Sequence, residues 1–439
     1  MHESSPRQRI AGGLILLALL LQIAGFNGAI STTYAVSYGL WLAVVLLWRD
    51  IPTRSRRQAA VLIVLGVAML LAARLGYGAR VYWPGIITRN AFVVVMLVGV
   101  SFIALIGSQG NRGAPGKRVT GTGGVLRSWA GVHFLGTILN LSAVFMVGDR
   151  LSRREPLSTP QLLALNRGLS SAALWSPFFA SMGVMIALTP DMQYGYVALA
   201  GFPLAMCAGL FTALELSRRF DLDDVEGFSL APKSLLMPLC MAALVMLFHF
   251  WLTPRLSIVS IITFLLPSVA LAANLPKGPR YTGYRIYQHA MTRLPAMRGE
   301  ISLFLAAGLF TLGLSTLVDA ATQEEWTLFA RFGMPQAMAS FVVIVLSAMI
   351  GLHPIIGVST LASILTLEGN AQTLYAFVGL AAWGVGTAVG PLSGINLSLQ
   401  GRYGISGYRM MKHNLGYAGV MSLLVLIAIA GIALLLGQT

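Results

Sequence analysis

Polar side chains that could bind a small solute lie inside two apolar segments in the second half of the chain. The first segment is interrupted at residues 351–354 (Gly-Leu-His-Pro), and the second is interrupted between Gly386 and Gly394. A helix in lipid cannot unwind unless its freed N–H and C=O groups find partners in protein or in a wet cavity. A single interruption fits a proline kink in a packing helix about as well. Two neighbouring interruptions that carry Ser, Thr, Asn and His favour the binding site of a transporter.

The first half of the chain contains a matching pair of interruptions. Asn140 lies in the middle of the apolar stretch GTILNLSAV, and Ser176 and Pro177 lie within LWSPFF. Asn140 precedes His353 by nearly the same number of residues as Pro177 precedes Pro391. Each half is therefore predicted to contain a hairpin tip followed by a broken helix. The polar residues at these positions are candidate ligands for a solute or a coupling ion: Thr137, Asn140, Ser142, Ser176, His353, Ser359, Thr360, Thr387, Ser393 and Asn396.

Each candidate also has a purely structural interpretation. A polar side chain in mid-membrane is costly unless it is paired, so helix–helix hydrogen bonds alone could explain Asn140 and Ser142. His353, beside a helix break, could be a satisfied core histidine, a proton carrier or a hydrogen-bond donor to a solute. His133 and His249 lie on apolar segments and are interpreted as packing residues.

Charged residues are sparse in the apolar segments. The carboxylates closest to these segments lie near their ends: Asp149, Glu215, Asp319 and Glu368. A chain of carboxylates that relays protons is therefore not expected, because such relays need ionisable groups within the membrane. Sodium held by carbonyl and side-chain oxygens stays open as the coupling ion, and protons carried by His353 are the competing hypothesis. Arg167, at the start of the first broken helix, is interpreted as a topology anchor.

The composition indicates a polytopic membrane protein. The chain has 439 residues, of which 56% are hydrophobic and 10% are charged. Runs of roughly 20 apolar residues, the length of a membrane-spanning helix, recur from end to end. Lys and Arg in short loops that face anionic lipid explain the net charge of +15, so the lipid bilayer and not nucleic acid is the expected partner. No phosphate-binding glycine loop, HExxH motif or carboxylate cluster is present, so no cofactor or metal is expected beyond Na⁺ or H⁺ as a coupling ion.

The distribution of Lys and Arg predicts how the segments run. Suppose that the segments around Asn140 and His353 are re-entrant hairpins and that the N-terminus is cytoplasmic. Few basic residues then lie on the side of the membrane opposite the cytoplasm: Arg74, Arg80, Arg89, Arg255 and Arg331. If both segments cross the membrane fully, the 30 Lys and Arg residues divide equally between the two sides. The usual excess of basic residues in cytoplasmic loops therefore favours the hairpins.

The predicted fold is an all-α polytopic membrane protein with about eleven transmembrane helices and two re-entrant hairpins in two inverted-topology repeats. It is expected in a bacterial inner membrane, with the N-terminus cytoplasmic and the C-terminus periplasmic. The predicted segments are a scaffold helix at 1–30, a first repeat at 31–216 with a hairpin at 128–152 and a broken helix at 161–190, a cytoplasmic linker at 217–233, and a second repeat at 234–439 with a hairpin at 336–367 and a broken helix at 371–398. Loops are expected at 107–127, which is Gly-rich and basic, and at 275–300, which is basic.

The residues that flank the hairpins predict the side on which each one opens. Arg127 and Arg150 flank the first hairpin, which should open to the cytoplasm. The second hairpin is flanked by Glu324, Glu325 and Glu368, and it should open outward.

This layout resembles the ion transporter superfamily and, within it, the divalent anion–sodium symporters that carry dicarboxylates. Members of that family have two inverted repeats, each with a re-entrant hairpin and a discontinuous helix around a midplane solute site. Their hairpin tips carry a Ser-Asn-Thr triplet, whereas the tips here read TILNLS from Thr137 and HPIIGVST from His353. The LWSP of the first broken helix is similar to motifs of sodium/proton antiporters in the same superfamily. The resemblance implies a sodium symporter that forms a homodimer.

The expected function is secondary active transport of a small anionic solute by alternating access, because half-helix N-termini that aim at one point favour an anion. One repeat pair would carry its hairpins past a fixed scaffold. The alternative, from another functional class, is a membrane-embedded enzyme that acts on a lipid-linked or glycan substrate. Such an enzyme needs acid and base groups and a sizeable outer loop, and the predicted outward loops are short, so no enzymatic activity is expected. An assembly scaffold is a third alternative, in which the polar hairpin residues could be changed without effect.

Overall fold

The computed structural model describes the chain except residues 1–4, 27, 29–30, 107–118, 154, 229–232 and 324–325, and it describes residues 233–235 and 237–239 by their backbone alone. Most of the predicted loop at 107–127 and the end of the predicted linker at 217–233 therefore lie outside the described residues. Glu324 and Glu325, which flank the second predicted hairpin, lie outside them as well.

The regular structure of the described residues is helical throughout. The helices in chain order are α1 Pro6–Gly25, α2 Thr33–Leu47, α3 Thr53–Tyr77, α4 Ala91–Ser101, α5 Gly121–Leu139, α6 Leu141–Leu151, α7 Thr159–Ala172, α8 Ala180–Leu188, α9 Tyr194–Arg219, α10 Lys233–Leu247, α11 Ile258–Asn274, α12 Pro279–Gln288, α13 Leu294–Ala296, α14 Arg298–Thr322, α15 Met334–Met349, α16 Pro354–Ala362, α17 Asn370–Val389, α18 Gly394–Tyr403 and α19 Gly407–Leu435. In this part of the chain, seven helical segments are long and apolar enough to cross a membrane, and shorter apolar helices accompany them. The predicted all-α polytopic membrane fold is therefore confirmed.

The chain forms two compact units, and each unit is assembled from segments of both halves. The first unit comprises Met1–Gln109, Met241–Leu328 and Ala362–Ile364. The second comprises Gly110–Cys240, Phe329–Leu361 and Leu365–Thr439. Both predicted repeats thus contribute to each unit, and the predicted repeat boundaries stay a prediction.

Glycines let α3 and α14 pack closely in the first unit. A Cβ atom on Gly66 would lie 2.9 Å from the carbonyl oxygen of Leu309 and 3.0 Å from Cα of Phe310. Gly313 faces the backbone of Gly66 and leaves no room for a Cβ atom either. Small residues allow this approach, and within a membrane helices associate mainly through such packing, since lipid is as apolar as the side chains.

A short polar helix occupies part of the segment that the sequence predicts as a basic loop at 275–300. Helix α12 begins at Pro279, which is well tolerated at a first helical position because that N–H has no partner in a helix anyway. The helix is too polar and too short to be recognised as a membrane span, so a search for apolar runs misses it. His289 follows it, with Nε2 2.9 Å from Oγ of Ser101, and burial lowers the pKa of His289 to about 4.

The first hairpin consists of α5 and α6, and the chain reverses at Asn140. Asn140 has φ 49° and ψ −136°, which is uncommon for a residue with a Cβ atom. The Arg150 guanidinium, near the end of α6, lies over the ring of Phe228 at 5.4 Å from its centroid. The N–H of Phe228 donates to Oγ of Ser128 in α5 over 2.9 Å. The end of α6 therefore lies close to the first half of α5. Helix α5 also begins at Gly121, so the end of the predicted loop at 107–127 is helical.

The second hairpin consists of α15 and α16. The chain reverses at Gly351, whose φ of 106° is readily adopted by glycine. The N–H of Leu328, before α15, donates to the carbonyl of Ile364, after α16, over 3.0 Å. The chain thus returns to the place where the hairpin began, and its reversal coincides with the Gly-Leu-His-Pro interruption at residues 351–354.

Two helices of the second unit are broken and continue after a short irregular stretch. Helix α7 ends at Ala172 and α8 begins at Ala180, with Pro177 between them. Helix α17 ends at Val389 and α18 begins at Gly394, with Pro391 between them. Proline has no N–H to donate and its ring clashes with the preceding turn, which explains why both helices stop there.

Replacing Gly66 by alanine is expected to lower the free energy of unfolding by about 1–3 kcal/mol, because the new methyl group must push the α14 backbone away. Thermal unfolding of the purified protein in detergent measures the effect. Gly76→Ala on the same helix is the control, since a Cβ atom there meets nothing within 4 Å. Equal destabilisation by both changes would contradict the close packing at Gly66.

Candidate functional site

The tip of the first hairpin is hydrogen-bonded to the break between α7 and α8. The Asn140 amide donates to the carbonyl of Phe178 over 3.2 Å and to that of Ile138 over 3.3 Å. In return, the Ser176 hydroxyl donates to the carbonyl of Thr137 over 2.6 Å. Ser176 Oγ also accepts from the N–H of Phe178 at 3.2 Å. Three of the predicted residues, Thr137, Asn140 and Ser176, therefore lie together.

Other side chains bind two further carbonyls of this break. The Tyr194 hydroxyl donates to the carbonyl of Trp175 over 2.9 Å, and the Ser181 hydroxyl donates to that of Ala173 over 3.3 Å. A buried carbonyl without a partner costs roughly as much as a lost hydrogen bond. The unwound stretch between α7 and α8 is thus stabilised by side chains from several helices.

The break between α17 and α18 is stabilised in the same way. Ser393 caps α18: its hydroxyl donates to the carbonyl of Thr387 over 2.7 Å and accepts from the N–H of Asn396 at 3.4 Å. The Asn396 amide donates to the carbonyls of Gly390 over 2.9 Å and of Ala388 over 3.3 Å. Thr387, Ser393 and Asn396 therefore form a second group of predicted residues.

Three fully buried asparagines connect this second break to α7 and α19. The Asn166 amide donates to Oδ1 of Asn396 over 2.8 Å. The Asn414 amide donates to Oδ1 of Asn166 over 3.1 Å and to the carbonyl of Ala388 over 2.8 Å. All three side chains are shielded from solvent. Such a network stabilises a core only when its donors and acceptors are satisfied, and here each amide oxygen accepts a hydrogen bond.

Arg167 belongs to this network, and its interpretation as a topology anchor is wrong. Its side chain is 0% exposed, whereas an anchor would point to water or lipid headgroups. Its guanidinium donates to Oδ1 of Asn414 over 2.8 Å and pairs with Oε2 of Glu215 at 2.5 Å. It also lies over the ring of Tyr417, 4.5 Å from the centroid. A buried arginine is tolerated only with such partners, because desolvating an unpaired charge is very costly.

His353 lies beside the second break, next to α17. Its ring packs edge-to-face on Trp383 with the centroids 5.1 Å apart. Its Nδ1 accepts from the N–H of Ile355 at 3.2 Å, so the neutral ring carries its proton on Nε2. That leaves Nε2–H as the group that could donate to a solute. Gly351, at the hairpin tip, faces Leu392 in the break, which brings the second tip and the second break together.

The remaining candidates lie on the hairpin arms. Ser142 and Thr360 are half-buried, in α6 and α16 respectively. Ser359 is buried in α16, and its hydroxyl has no hydrogen-bond partner among the described residues. His133 is buried with both ring nitrogens engaged: Nδ1 lies 2.9 Å from Oγ of Ser171, and Nε2 accepts from the Trp175 indole over 3.2 Å.

Helix α7, and not a contact between the hairpin tips, connects the group of predicted residues at the first break with the group at the second break. The Thr387 hydroxyl lies 3.3 Å from the hydroxyl of Ser170 in α7. Within the described residues, Asn140 and His353 share no hydrogen bond, although the sequence places them at matched positions. The tips are therefore each paired with the nearest break.

Sequence reasoning missed Asn166, Ser170 and Asn414. Asn166 and Ser170 are four residues apart on α7, so they lie on one helix face inside a buried helix, and that spacing was the available signal. Asn414 lies in the first turns of α19, which begins at Gly407. A polar residue at a helix start is usually attributed to the membrane surface, which hid its buried role.

Arg167→Gln is expected to lower the free energy of unfolding by about 3–5 kcal/mol, because Glu215 and Asn414 then lose a buried partner. The matched control is Arg219→Gln, which removes the other arginine bound to Glu215. Arg219 is 37% exposed, so its loss should cost no more than about 1 kcal/mol. Denaturant unfolding of both variants measures the difference, and similar values would contradict a structural role of the buried pair.

Comparisons with known proteins do not place the chain in a family. No protein-family model matches it, and no curated protein matches it. Among solved structures, the chain matches one described as "Crystal structure of the Alcanivorax borkumensis YdaH transporter reveals an unusual topology". The match covers 97% of this chain and 97% of that chain, with 14% sequence identity and a TM-score of 0.39. At this identity and this score, the likeness decides neither the fold nor the activity of the chain.

Proposed function

We propose that this chain is a secondary active transporter that carries a small anionic solute across a bacterial inner membrane by alternating access. The observation that carries the proposal is the content of the second unit: both broken helices belong to it, and so do both hairpins except for Ala362 at the end of α16. Irregular backbone within a membrane is tolerated where it is packed in protein or lines a cavity. In secondary transporters, discontinuous helices near the bilayer midplane form the sites for the solute and the coupling ion.

The chemistry of the breaks supports an anionic solute. Each of the four interruptions is followed by the N-terminus of a helix: α6, α8, α16 and α18. Helix N-termini present unpaired N–H groups and partial positive charge, both of which favour an anion. The ten predicted ligands include no carboxylate that would repel one.

The same chemistry weighs against the rival class, a membrane-embedded enzyme acting on a lipid-linked or glycan substrate. Such an enzyme needs an acid and a base at the reacting atoms. The side chains that bind backbone carbonyls at the two breaks are hydroxyls and amides. The coupling ion is either sodium, held by the oxygens of the breaks, or a proton carried by His353.

Purified protein in proteoliposomes is expected to take up a member of a panel of small carboxylates and oxyanions, driven by a sodium or a proton gradient. Accumulation of radiolabelled solute measures uptake with each gradient and without any. An absence of uptake for every member of the panel under both gradients would contradict the proposal.

A pair of asparagine variants tests where the solute binds. Asn140 and Asn274 each donate to two backbone carbonyls, but only Asn140 lies at a hairpin tip. Asn140→Ala should weaken the affinity for the transported solute by about two- to tenfold, the loss expected for one hydrogen bond. Asn274→Ala should lower stability and leave affinity unchanged. Wild-type affinity in Asn140→Ala would exclude this tip from the site.

A pH profile tests whether His353 carries the coupling proton. In a proton-coupled transporter, His353→Gln should abolish the pH dependence of uptake and keep solute binding measurable, because glutamine donates a hydrogen bond but does not titrate. His133→Gln is the control, since both nitrogens of His133 are engaged within the protein. An unchanged pH profile in His353→Gln would remove His353 from the mechanism.

A further inference from the structure

A cavity of about 810 Å³ lies between the second arm of the first hairpin and the helix that follows the second break. Phe145, Asp149 and Ser152 line it from the hairpin side, and Ser398, Arg402 and Tyr403 line it from α18. Its volume falls in the range of about 300–1,000 Å³ that is typical of small-molecule sites. None of the ten predicted ligands lines this cavity, so it is distinct from the groups at the breaks.

One arginine dominates the chemistry of the cavity. The Arg402 guanidinium binds the Asp149 carboxylate through two parallel hydrogen bonds, Nε to Oδ1 at 2.6 Å and Nη2 to Oδ2 at 2.5 Å. The Tyr403 hydroxyl donates to the same Oδ1 over 2.9 Å. Arg402 also lies over the Phe145 ring at 5.4 Å from the centroid. This planar, bidentate arrangement is the geometry with which arginine recognises any carboxylate.

The Arg402–Asp149 pair differs from the buried Arg167–Glu215 pair of the second unit. Its side chains are 53% and 41% exposed, whereas those of Arg167 and Glu215 are 0% and 13% exposed. Water competes for an exposed pair, so such a pair adds little stability and separates readily. If the Arg402–Asp149 pair opened, water would hydrate both charges. If the Arg167–Glu215 pair opened, the Arg167 charge would stay buried without its partner. Arg402 can therefore exchange its carboxylate partner at low cost.

We propose that Arg402 is an anion-binding group of this cavity, where the carboxylate of a small solute replaces Asp149. The inference rests on the proposed transport of an anionic solute and adds a second binding place, next to the first hairpin. Asp149 acts there as an internal competitor that occupies Arg402 until a solute arrives. The hydroxyls of Ser152, Ser398 and Tyr403 then surround the bound solute.

Two substitutions should change affinity in opposite directions, which a merely structural ion pair would not do. The probe is succinate, and its binding to the purified full chain in detergent is measured by isothermal titration calorimetry. Arg402→Gln should weaken binding about tenfold or more, because a charge-assisted bidentate contact is lost. Asp149→Asn should strengthen binding by about two- to fivefold, because the competitor loses its charge. Should Arg402→Gln fail to fold, the gain in Asp149→Asn still tests the proposal.

Controls separate this inference from the proposed function. Arg285→Gln removes a half-buried arginine that lies over a tyrosine ring in the first unit, and it should leave succinate binding unchanged. Succinamide, which has the shape of succinate but no charge, should not bind measurably. Weaker binding in both Arg402→Gln and Asp149→Asn, or no succinate binding by the wild type, would overturn the inference. Uptake of an anion by proteoliposomes of Arg402→Gln at wild-type affinity would overturn it as well, while leaving the transporter proposal intact.

Discussion

The requirement that every backbone N–H and C=O group within a membrane find a partner shapes the second unit more than any other constraint. Continuous helices meet it by their own hydrogen bonds, whereas a broken helix leaves several carbonyls free. Here side chains bind those carbonyls: Asn140, Ser181 and Tyr194 at the first break, and Ser393 and Asn396 at the second. The polar residues of this unit thus have a structural task before any solute is considered, and a functional role must be compatible with it.

The buried asparagines extend that task over a longer distance. Asn166 and Asn414 link the second break to two further helices, and Arg167 continues the network to Glu215. Networks of this kind are stable only when complete, because each unpaired polar group in a low-dielectric interior is costly. The consequence is a firmly positioned break. Arg402 and Asp149 also form a pair of an arginine and a carboxylate, but both side chains are exposed. Water therefore competes for each charge, and the pair contributes little stability.

The sequence by itself determined the class of the protein and the places where its helices break. Both follow from local properties. The thickness of the bilayer sets the length of the apolar runs, and Pro177 and Pro391 each interrupt the helix in which they lie. The Gly351 reversal is local as well, because only glycine adopts that backbone conformation easily. Sequence reasoning also selected Asn140, Ser176 and Asn396 as polar residues at the breaks, since a polar group in an apolar run requires a partner wherever that partner lies.

Only the tertiary structure decided which partners these residues have. Arg167 and Glu215 are separated by 48 residues, and Asn166 and Asn414 by 248, so no local pattern could pair them. Burial depends on which helices pack together, and for this reason Arg167 looked like a surface residue in the sequence and is fully enclosed in the fold. The sequence did not predict the helix at Pro279–Gln288, because that segment is polar and contains no apolar run. The cavity at Arg402 likewise exists only because α6 and α18, far apart in the chain, lie side by side.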